Sequence, residues 1–346
     1  METAYKDETD LSILIVNWNS GDFLRRCLES LEKQRDEGVS FEVIVVDNAS
    51  VDDSMDGIEE RFPWVKVIRN TYNYGFAKAT NQAYRLSKGR YVMTLNPDTY
   101  LPSGTLKQIV QFLDDTPEAG AVQPCPDTYY TTYYVGEVRF LFAKLLLNKL
   151  FPSQTSQPIS EPLDVPWLWG TGIVIRRSAL ENGIFYKEWA FLFCEEYDMC
   201  KMMHKKGYKL FILPTRMDHF RGGSRKKSSE IKYLTLKLSN AAIYVMEYRE
   251  VGMLRARLNA FIKFIDGFLL WSSQCVLQLI KPKKERVDSL IDWKARWVAN
   301  LALLFMGSAY FQKVNQKTEK ILNDQQLIRQ WLYSSSKQLR LGAVSQ

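Results

Sequence analysis

Tyr91-Val92-Met93-Thr94-Leu95-Asn96-Pro97-Asp98-Thr99 joins a strand-like run to a turn and leaves one carboxylate just past the strand's C-terminal end. Open α/β sheets bind their ligands at that place. Asn-Pro-Asp is also ordinary turn chemistry, so Asp98 reads at this point either as a ligand-binding carboxylate or as a turn residue. Upstream, Leu11–Val16 ends at Asn17-Trp18-Asn19-Ser20, and Phe41–Val46 ends at Asp47-Asn48-Ala49-Ser50. Both are short apolar runs of the kind buried in parallel sheets. Between them Phe23, Leu24, Cys27, Leu28 and Leu31 recur at helical spacing behind Ser20, which reads as the helix N-cap. Strand, helix, strand is a nucleotide-type layout, but it lacks the Gly-x-Gly-x-x-Gly turn that lets a backbone approach a pyrophosphate. That argues against a dinucleotide cofactor. The usual substitute is a divalent metal, and Asp98 is a suitable hard ligand for Mg2+ or Mn2+.

Four linked segments carry a family resemblance: Val16–Ser20, Val46–Ser50 with Asp52-Asp53-Ser54, Asn73–Ala77 with Asn81, and Leu95–Asp98. In order and spacing they resemble glycosyltransferase family 2, and within it the bacterial rhamnosyltransferase-like enzymes that build cell-surface polysaccharides. The resemblance covers residues 10 to 250. It implies an α/β GT-A fold with a Rossmann-like mixed sheet, a metal-dependent nucleotide-sugar donor site and inversion at the anomeric carbon. It places Asp47 at the nucleoside and Asp98 on the metal, with Asn17, Asn19, Asn73, Asn81 and Asn96 in the motifs around the nucleotide sugar. Asn96 stands where many relatives have an aspartate, which leaves one carboxylate near the metal, as in the rhamnosyltransferase-like subgroup.

Inverting transfer needs a base that takes the acceptor hydroxyl's proton. Phe191–Cys200 resembles the family's Glu-Asp segment, in which the second acidic residue is the base; here that position is Glu196. Glutamate reaches about 1.5 Å further than aspartate, one C–C bond, and Glu195 and Asp198 are alternative bases. The same trio would also suit a solvated helix N-terminus. Trp167-Leu168-Trp169-Gly170-Thr171-Gly172 before Ile173–Ile175 resembles the acceptor-side turn, with Trp169 either stacking on a sugar or packing in the core, Gly170 allowing close approach, and Thr171 a polar contact. His219, in a loop after the strand-like Lys209–Leu213, resembles the histidine that completes the metal site. Arg221 and Arg225 follow among glycines and serines, a composition suited to a loop over a diphosphate. His204 reads as structural or exposed.

The chain has 346 residues, 46% hydrophobic and 25% charged, enough for one catalytic core and an appendage. The expected organisation is a catalytic domain at 1–250, with a donor half at 10–115, an insertion at 116–166 and an acceptor half at 167–250, then a helical, membrane-associated extension at 251–346. Five cysteines without paired metal spacing suit a reducing compartment. Met1–Asp10 is polar and acidic, which reads as no signal sequence and places the catalytic part in the cytoplasm. A net charge of +7 favours an anionic partner. No nucleic-acid motif accompanies the charge, so the expectation is the cytoplasmic face of the inner membrane and no nucleic acid. Residues 254–280 are apolar but interrupted by Arg257, Lys263 and Asp266, and 297–311 is short, so both fit interfacial embedding better than spanning. Their alternative is packing on the core or within an oligomer. The expected function is transfer of rhamnose from dTDP-rhamnose, otherwise of a UDP-hexose, to a lipid-linked glycan. The alternative is a non-catalytic nucleotide-sugar-binding scaffold of a polysaccharide assembly complex.

Overall fold

The computed structural model describes residues 9–126, 159–180, 185–220, 229–280 and 284–332. The chain divides into two compact units: Met1–Tyr134 with Gln157–Trp189 and Glu195–Ser224, and Val135–Ser156 with Ala190–Cys194 and Arg225–Gln346. The first unit holds the sheet, with β1 Leu11–Asn17, β2 Phe41–Asn48, β3 Val65–Asn70, β4 Tyr91–Leu95, β5 Thr99–Tyr100, β6 Ala119–Pro126, β7 Leu163–Asp164, β8 Gly172–Arg176 and β9 Lys209–His219. Their order is β3-β2-β1-β4-β8-β6-β9-β5, with β7 against β9. β3, β2, β1 and β4 are mutually parallel, whereas β8 runs antiparallel to both β4 and β6.

Alternation along the strands sorts side chains to two faces. Ile13 and Ile15 pack with Leu24 and Leu28 of the Phe23–Glu32 helix and with Ile109 and Leu113 of the Thr105–Asp115 helix. Leu14, Ile44 and Val46 pack on the other face with Ala77 and Ala83 of Phe76–Leu86 and with Met199 and Met203 of Glu195–Lys205. Helices thus cover both faces, which is why β1 and β2 read as largely apolar runs, broken only by Ser12 and Glu42 before their polar ends.

Three sequence expectations are corrected. Ser20 does not cap the first helix: the cap position is Asp22, and the Ser20 hydroxyl donates to Asn17 Oδ1 instead. The stretch from 116 does not open as an insertion, because Ala119–Pro126 is a central strand between β8 and β9. Within its Ala119-Gly120-Ala121 start the glycine has a packing reason: a Cβ on Gly120 would lie 2.5 Å from Tyr208 Cβ. The rest of the expected insertion, 127–158, lies outside the described residues. Third, the strand expected to stop at Leu213 continues to His219, with a bulge opposite Pro124 and Cys125 where Pro214 interrupts the ladder.

In the second unit Ser229–Ile280 is helical except at Gly252, whose φ of 80° and ψ of 170° break the helix. Lys284–Met306 and Ser308–Leu322 follow, joined at Gly307. The helices approach closely at Gly267, where a Cβ would stand 3.1 Å from Trp297 N, and Phe264, Phe268 and Trp271 surround the Trp297 ring. Leu254 (83% exposed), Leu258, Phe261, Ile265, Phe268, Val276 and Leu279 (85%) lie open along one side. Among the described residues no helix is long and apolar enough to cross a membrane.

Gly89 sits where β4 is entered, and its N–H donates to Ser12 Oγ at 2.8 Å. A Cβ there would meet Ser12 N at 2.5 Å and Leu11 C at 2.7 Å, both backbone atoms that cannot swing aside. Gly89→Ala is expected to destabilise the protein by about 2–3 kcal/mol, the scale of core overpacking, read as a lower urea midpoint. A midpoint unchanged from wild type would show that β1 and β4 can separate without cost.

Candidate active site

The strand ends of the first unit carry the candidate residues. Asp98, 8% exposed, follows β4 in the turn that leads to β5. β5 pairs Thr99 with His219 and Tyr100 with Asp218, which brings the end of β9 back to the turn. Phe220 N donates to Asp98 O at 2.9 Å. His219 Nε2 stands 3.3 Å from Asp98 Oδ1 and is buried without a hydrogen-bond partner among the described residues. An imidazole nitrogen and a carboxylate oxygen that converge without bonding to each other suit a shared divalent cation of the Mn2+ or Mg2+ kind. Among the described residues no group of three or more His, Cys, Asp and Glu side chains gathers. The pair would therefore need further oxygens from a bound diphosphate and water. Beneath the turn, the Cys27 thiol faces Asn96 O and Thr99 Oγ1, each at 3.8 Å, and burial pushes its pKa up to about 12.

The asparagines divide by what occupies their amides. Asn17 Nδ2 donates to Asp47 Oδ1 at 3.1 Å, Ser50 Oγ at 3.1 Å and Ser54 Oγ at 2.9 Å, so Asn17 fixes the Asp47 carboxylate at the end of β2. Asn19, with φ of 50°, accepts from Val51 N and Asp52 N and ties the two strand-end loops together. Asn73 Oδ1 accepts from Asn48 Nδ2 at 2.7 Å and from Gly75 N at 3.0 Å. Asn81 differs from its expected contact with the nucleotide sugar. Its Nδ2 donates to Tyr186 O and Glu188 Oε1 and its Oδ1 accepts from Phe185 N and Tyr186 N, leaving no hydrogen-bonding position for a ligand. It holds the segment ahead of the acidic helix.

The turn at 169–171 abuts the Asp98 turn. β8 pairs Gly172 with Leu95, and Asn96 N donates to Thr171 O at 3.2 Å. Trp169 is 38% exposed and its backbone is clasped by Gln123. Glu196 lies over Gly170: a Cβ on that glycine would stand 3.6 Å from the Glu196 carboxyl carbon. The chain enters the Glu195–Lys205 helix through Phe193 and Cys194, both at left-handed φ, and Glu195, Glu196 and Asp198 fall in its first turn. Glu195 is buried, and Asp198 Oδ2 accepts from Trp189 Nε1 at 2.6 Å. Burial raises the pKa of Glu196, and its own backbone N–H only partly opposes the rise. The Tyr186 hydroxyl, 3.3 Å from Thr94 Oγ1, is raised by burial and then by the charges of Glu196 and Glu195. His204 Nε2 lies 2.8 Å from Pro166 O, a structural contact. Arg221 and Arg225 lie outside the described residues.

Sequence reading missed Asn48, Gln123 and Tyr186. Asn48 sits within a quoted motif and could have been singled out there. Gln123 and Tyr186 belong to no motif, and their roles follow from tertiary contacts alone.

The family model for glycosyl transferase family 2 matches residues 12–184. The N-acetylglucosaminyl-diphospho-decaprenol L-rhamnosyltransferase of Mycobacterium tuberculosis is 25% identical over 228 residues, 59% of this chain and 74% of that protein. The poly(ribitol-phosphate) beta-glucosyltransferase of Bacillus spizizenii is 34% identical over 106 residues, 30% of this chain and 17% of that protein. The chain thus spans under a fifth of the Bacillus protein. The solved mannosyltransferase PcManGT of Pyrobaculum calidifontis, in complex with GDP-Man and Mn2+, superposes with a TM-score of 0.53 at 16% identity, covering 86% of this chain and 88% of that one, a likeness of fold.

A carboxyl whose folded pKa lies above its unfolded value favours folding at low pH and loses that contribution as pH rises through the folded value. Glu196→Gln keeps the shape and cannot ionise. It is expected to melt with wild type near pH 4 and above it at pH 8, by about 2–4 °C if roughly 1 kcal/mol is relieved. An equal difference at both pH values would mean that Glu196 is hydrated in the fold.

Proposed function

This chain belongs to glycosyl transferase family 2 and has the GT-A fold, and from that premise we propose that it is an inverting transferase moving a sugar from a nucleotide-sugar donor to a lipid-linked glycan. One observation carries the reading. The Asp98–His219 pair and the Glu196–Gly170 contact belong to adjoining turns, joined by the Asn96–Thr171 hydrogen bond. A donor's diphosphate and an acceptor's hydroxyl held at two such turns would meet at the anomeric carbon between them.

In this reading Asp47 contacts the nucleoside, held by Asn17, and Asp98 with His219 holds the cation. A divalent cation, when bound there, neutralises charge developing on the leaving diphosphate. Glu196 accepts the acceptor hydroxyl's proton as the oxygen bonds to the anomeric carbon, the bond to the diphosphate breaks, and the nucleoside diphosphate leaves. The raised Glu196 pKa brings the group closer to working pH, which suits a base. Asp198 is a weaker candidate because Trp189 holds its carboxylate. In this reading Trp169, partly exposed beside Gly170, stacks on the acceptor sugar.

Two relatives' names inform the substrates. The Mycobacterium protein is named as a rhamnosyltransferase acting on a diphospho-decaprenol. The WfaP protein of Escherichia coli, 30% identical over 105 residues, is named as a UDP-Glc glucosyltransferase acting on a diphosphoundecaprenol. Rhamnose from dTDP-rhamnose is the first donor to test and UDP-glucose the second. A lipid-linked acceptor accords with peripheral binding at the cytoplasmic face of the membrane. The open side of the helix after Gly252 supports this reading: it presents Leu254, Leu258, Phe261 and Ile265 with exposed Arg255 and Arg257. Apolar residues flanked by cations suit an anionic bilayer surface.

Asp98→Asn is expected to abolish the Mn2+-dependent thermal shift given by the donor. Glu196→Gln should keep that shift and lower transfer by about 10²–10⁴-fold, the worth of a general base. Retained transfer in Glu196→Gln with loss in Asp198→Asn would move the base to Asp198. Donor binding without transfer to any lipid-linked acceptor would favour the scaffold instead. Replacing both Leu258 and Phe261 by Glu should weaken co-sedimentation with phosphatidylglycerol vesicles at least tenfold, since burying each side chain is worth about 1.5–3 kcal/mol. Undiminished sedimentation would remove this face from membrane binding.

A further inference from the structure

We propose that Gln123, a β6 residue outside every expected site motif, is the positioning residue that fixes the Trp169–Thr171 turn beneath Glu196. This rests on the reading of Glu196 as base and deepens it. Gln123 is fully buried, and its amide grips the Trp169 backbone at two points. Nε2 donates to Trp169 O at 2.8 Å, and Oε1 accepts from Trp169 N at 3.0 Å. The side chain thus supplies the two bonds that a neighbouring strand would supply, at a place where the chain is not in a strand.

The clasp passes directly to the candidate chemistry. Trp169 O also accepts from Thr171 N at 2.6 Å, which closes a tight three-residue turn around Gly170. Glu196 packs on that glycine, and Thr171 O accepts from Asn96 N on the Asp98 side. Gln123 is itself held in register, opposite Ile212 of β9 and next to Val122, which pairs with Val174 of β8. A group on a rigid central strand therefore sets where the Trp169 indole emerges and how closely Gly170 approaches the carboxylate. Only an amide of this length gives both bonds. Glutamate lacks the donor, and methionine keeps the volume but lacks both groups.

The test uses the full chain carrying Gln123→Met and, separately, Gln123→Glu. Hydrogen exchange of the 168–172 amides and the donor thermal shift are measured first, because neither needs transfer. Exchange at Trp169 and Thr171 is expected to quicken at least tenfold, with β1 and β4 protection and donor binding unchanged within twofold. Transfer kinetics then divide: kcat/KM for the acceptor falls by about 10–100-fold while KM for the donor stays put. Combining Gln123→Met with Trp169→Ala should cost less than the two single losses multiplied, since both act through one turn. Unchanged exchange at the turn, or acceptor kcat/KM within twofold of wild type, overturns the proposal. So does a loss of donor binding and sheet protection in parallel with activity, which would mark a general core defect. If the wild type transfers no sugar, the functional reading fails, while the exchange measurement still decides the clasp.

Discussion

The antiparallel pairing of Thr99 with His219 and of Tyr100 with Asp218 is the contact on which the approach of Asp98 and His219 depends. Two residues of strand suffice, because β9 is already anchored along β6 and arrives at the turn in a fixed register. The pairing sets Asp98 against His219 Nε2 and lets Phe220 N reach Asp98 O. Without it the turn after β4 would carry a single carboxylate, and the histidine would have no reason to approach. The second constraint is β8, which enters antiparallel beside β4 and delivers Thr171 to Asn96. The Asp98 turn and the Thr171 turn are thereby built on neighbouring strands of one sheet, where rigid elements hold them better than loops would.

Much of this was legible from local pattern. β1, β2 and the helix between them announce themselves because strands covered on both faces are largely apolar, and a covering helix shows its stripe. The GT-A fold follows from four motifs that all sit at the C-terminal ends of strands or just after them. What escaped reading has equally local causes. β6 begins Ala119-Gly120-Ala121, without the branched residues that mark a strand, and at Gly120 Tyr208 leaves no room for a side chain. β9 contains Pro214, a residue that argues against a continuing strand, and a bulge absorbs it. Ser20 looked like a cap and serves Asn17 instead, because a buried amide oxygen needs a donor more than a surface helix end does.

Site residues were less legible than fold, and the amides show why. Asn17, Asn73 and Asn81 lie in recognisable motifs, yet each spends hydrogen bonds on the protein itself. A motif records that a residue type is needed at a place and is silent on whether the need is contact or support. Asn81 joins the Phe76–Leu86 helix to residues more than a hundred positions later. Gln123 reaches the Trp169 turn across 46 positions. Such ties between remote segments leave no periodicity for a sequence to display.

The long reach of the β5–β9 pairing also bears on how the chain is made. β1 to β4 can pair as they leave the ribosome, in the order of synthesis, whereas the strand that brings His219 to Asp98 follows about 120 residues later. At about 5–20 residues per second, that is a wait of roughly 6–24 s. For the first part of this interval, until Gly172–Arg176 are made, the nascent sheet presents β4 with no β8 beside it, an unpaired edge of the kind that other chains can join. Protection from aggregation therefore comes before competence in biosynthesis: β8 covers the edge of β4 while the strand that carries His219 has still to be made.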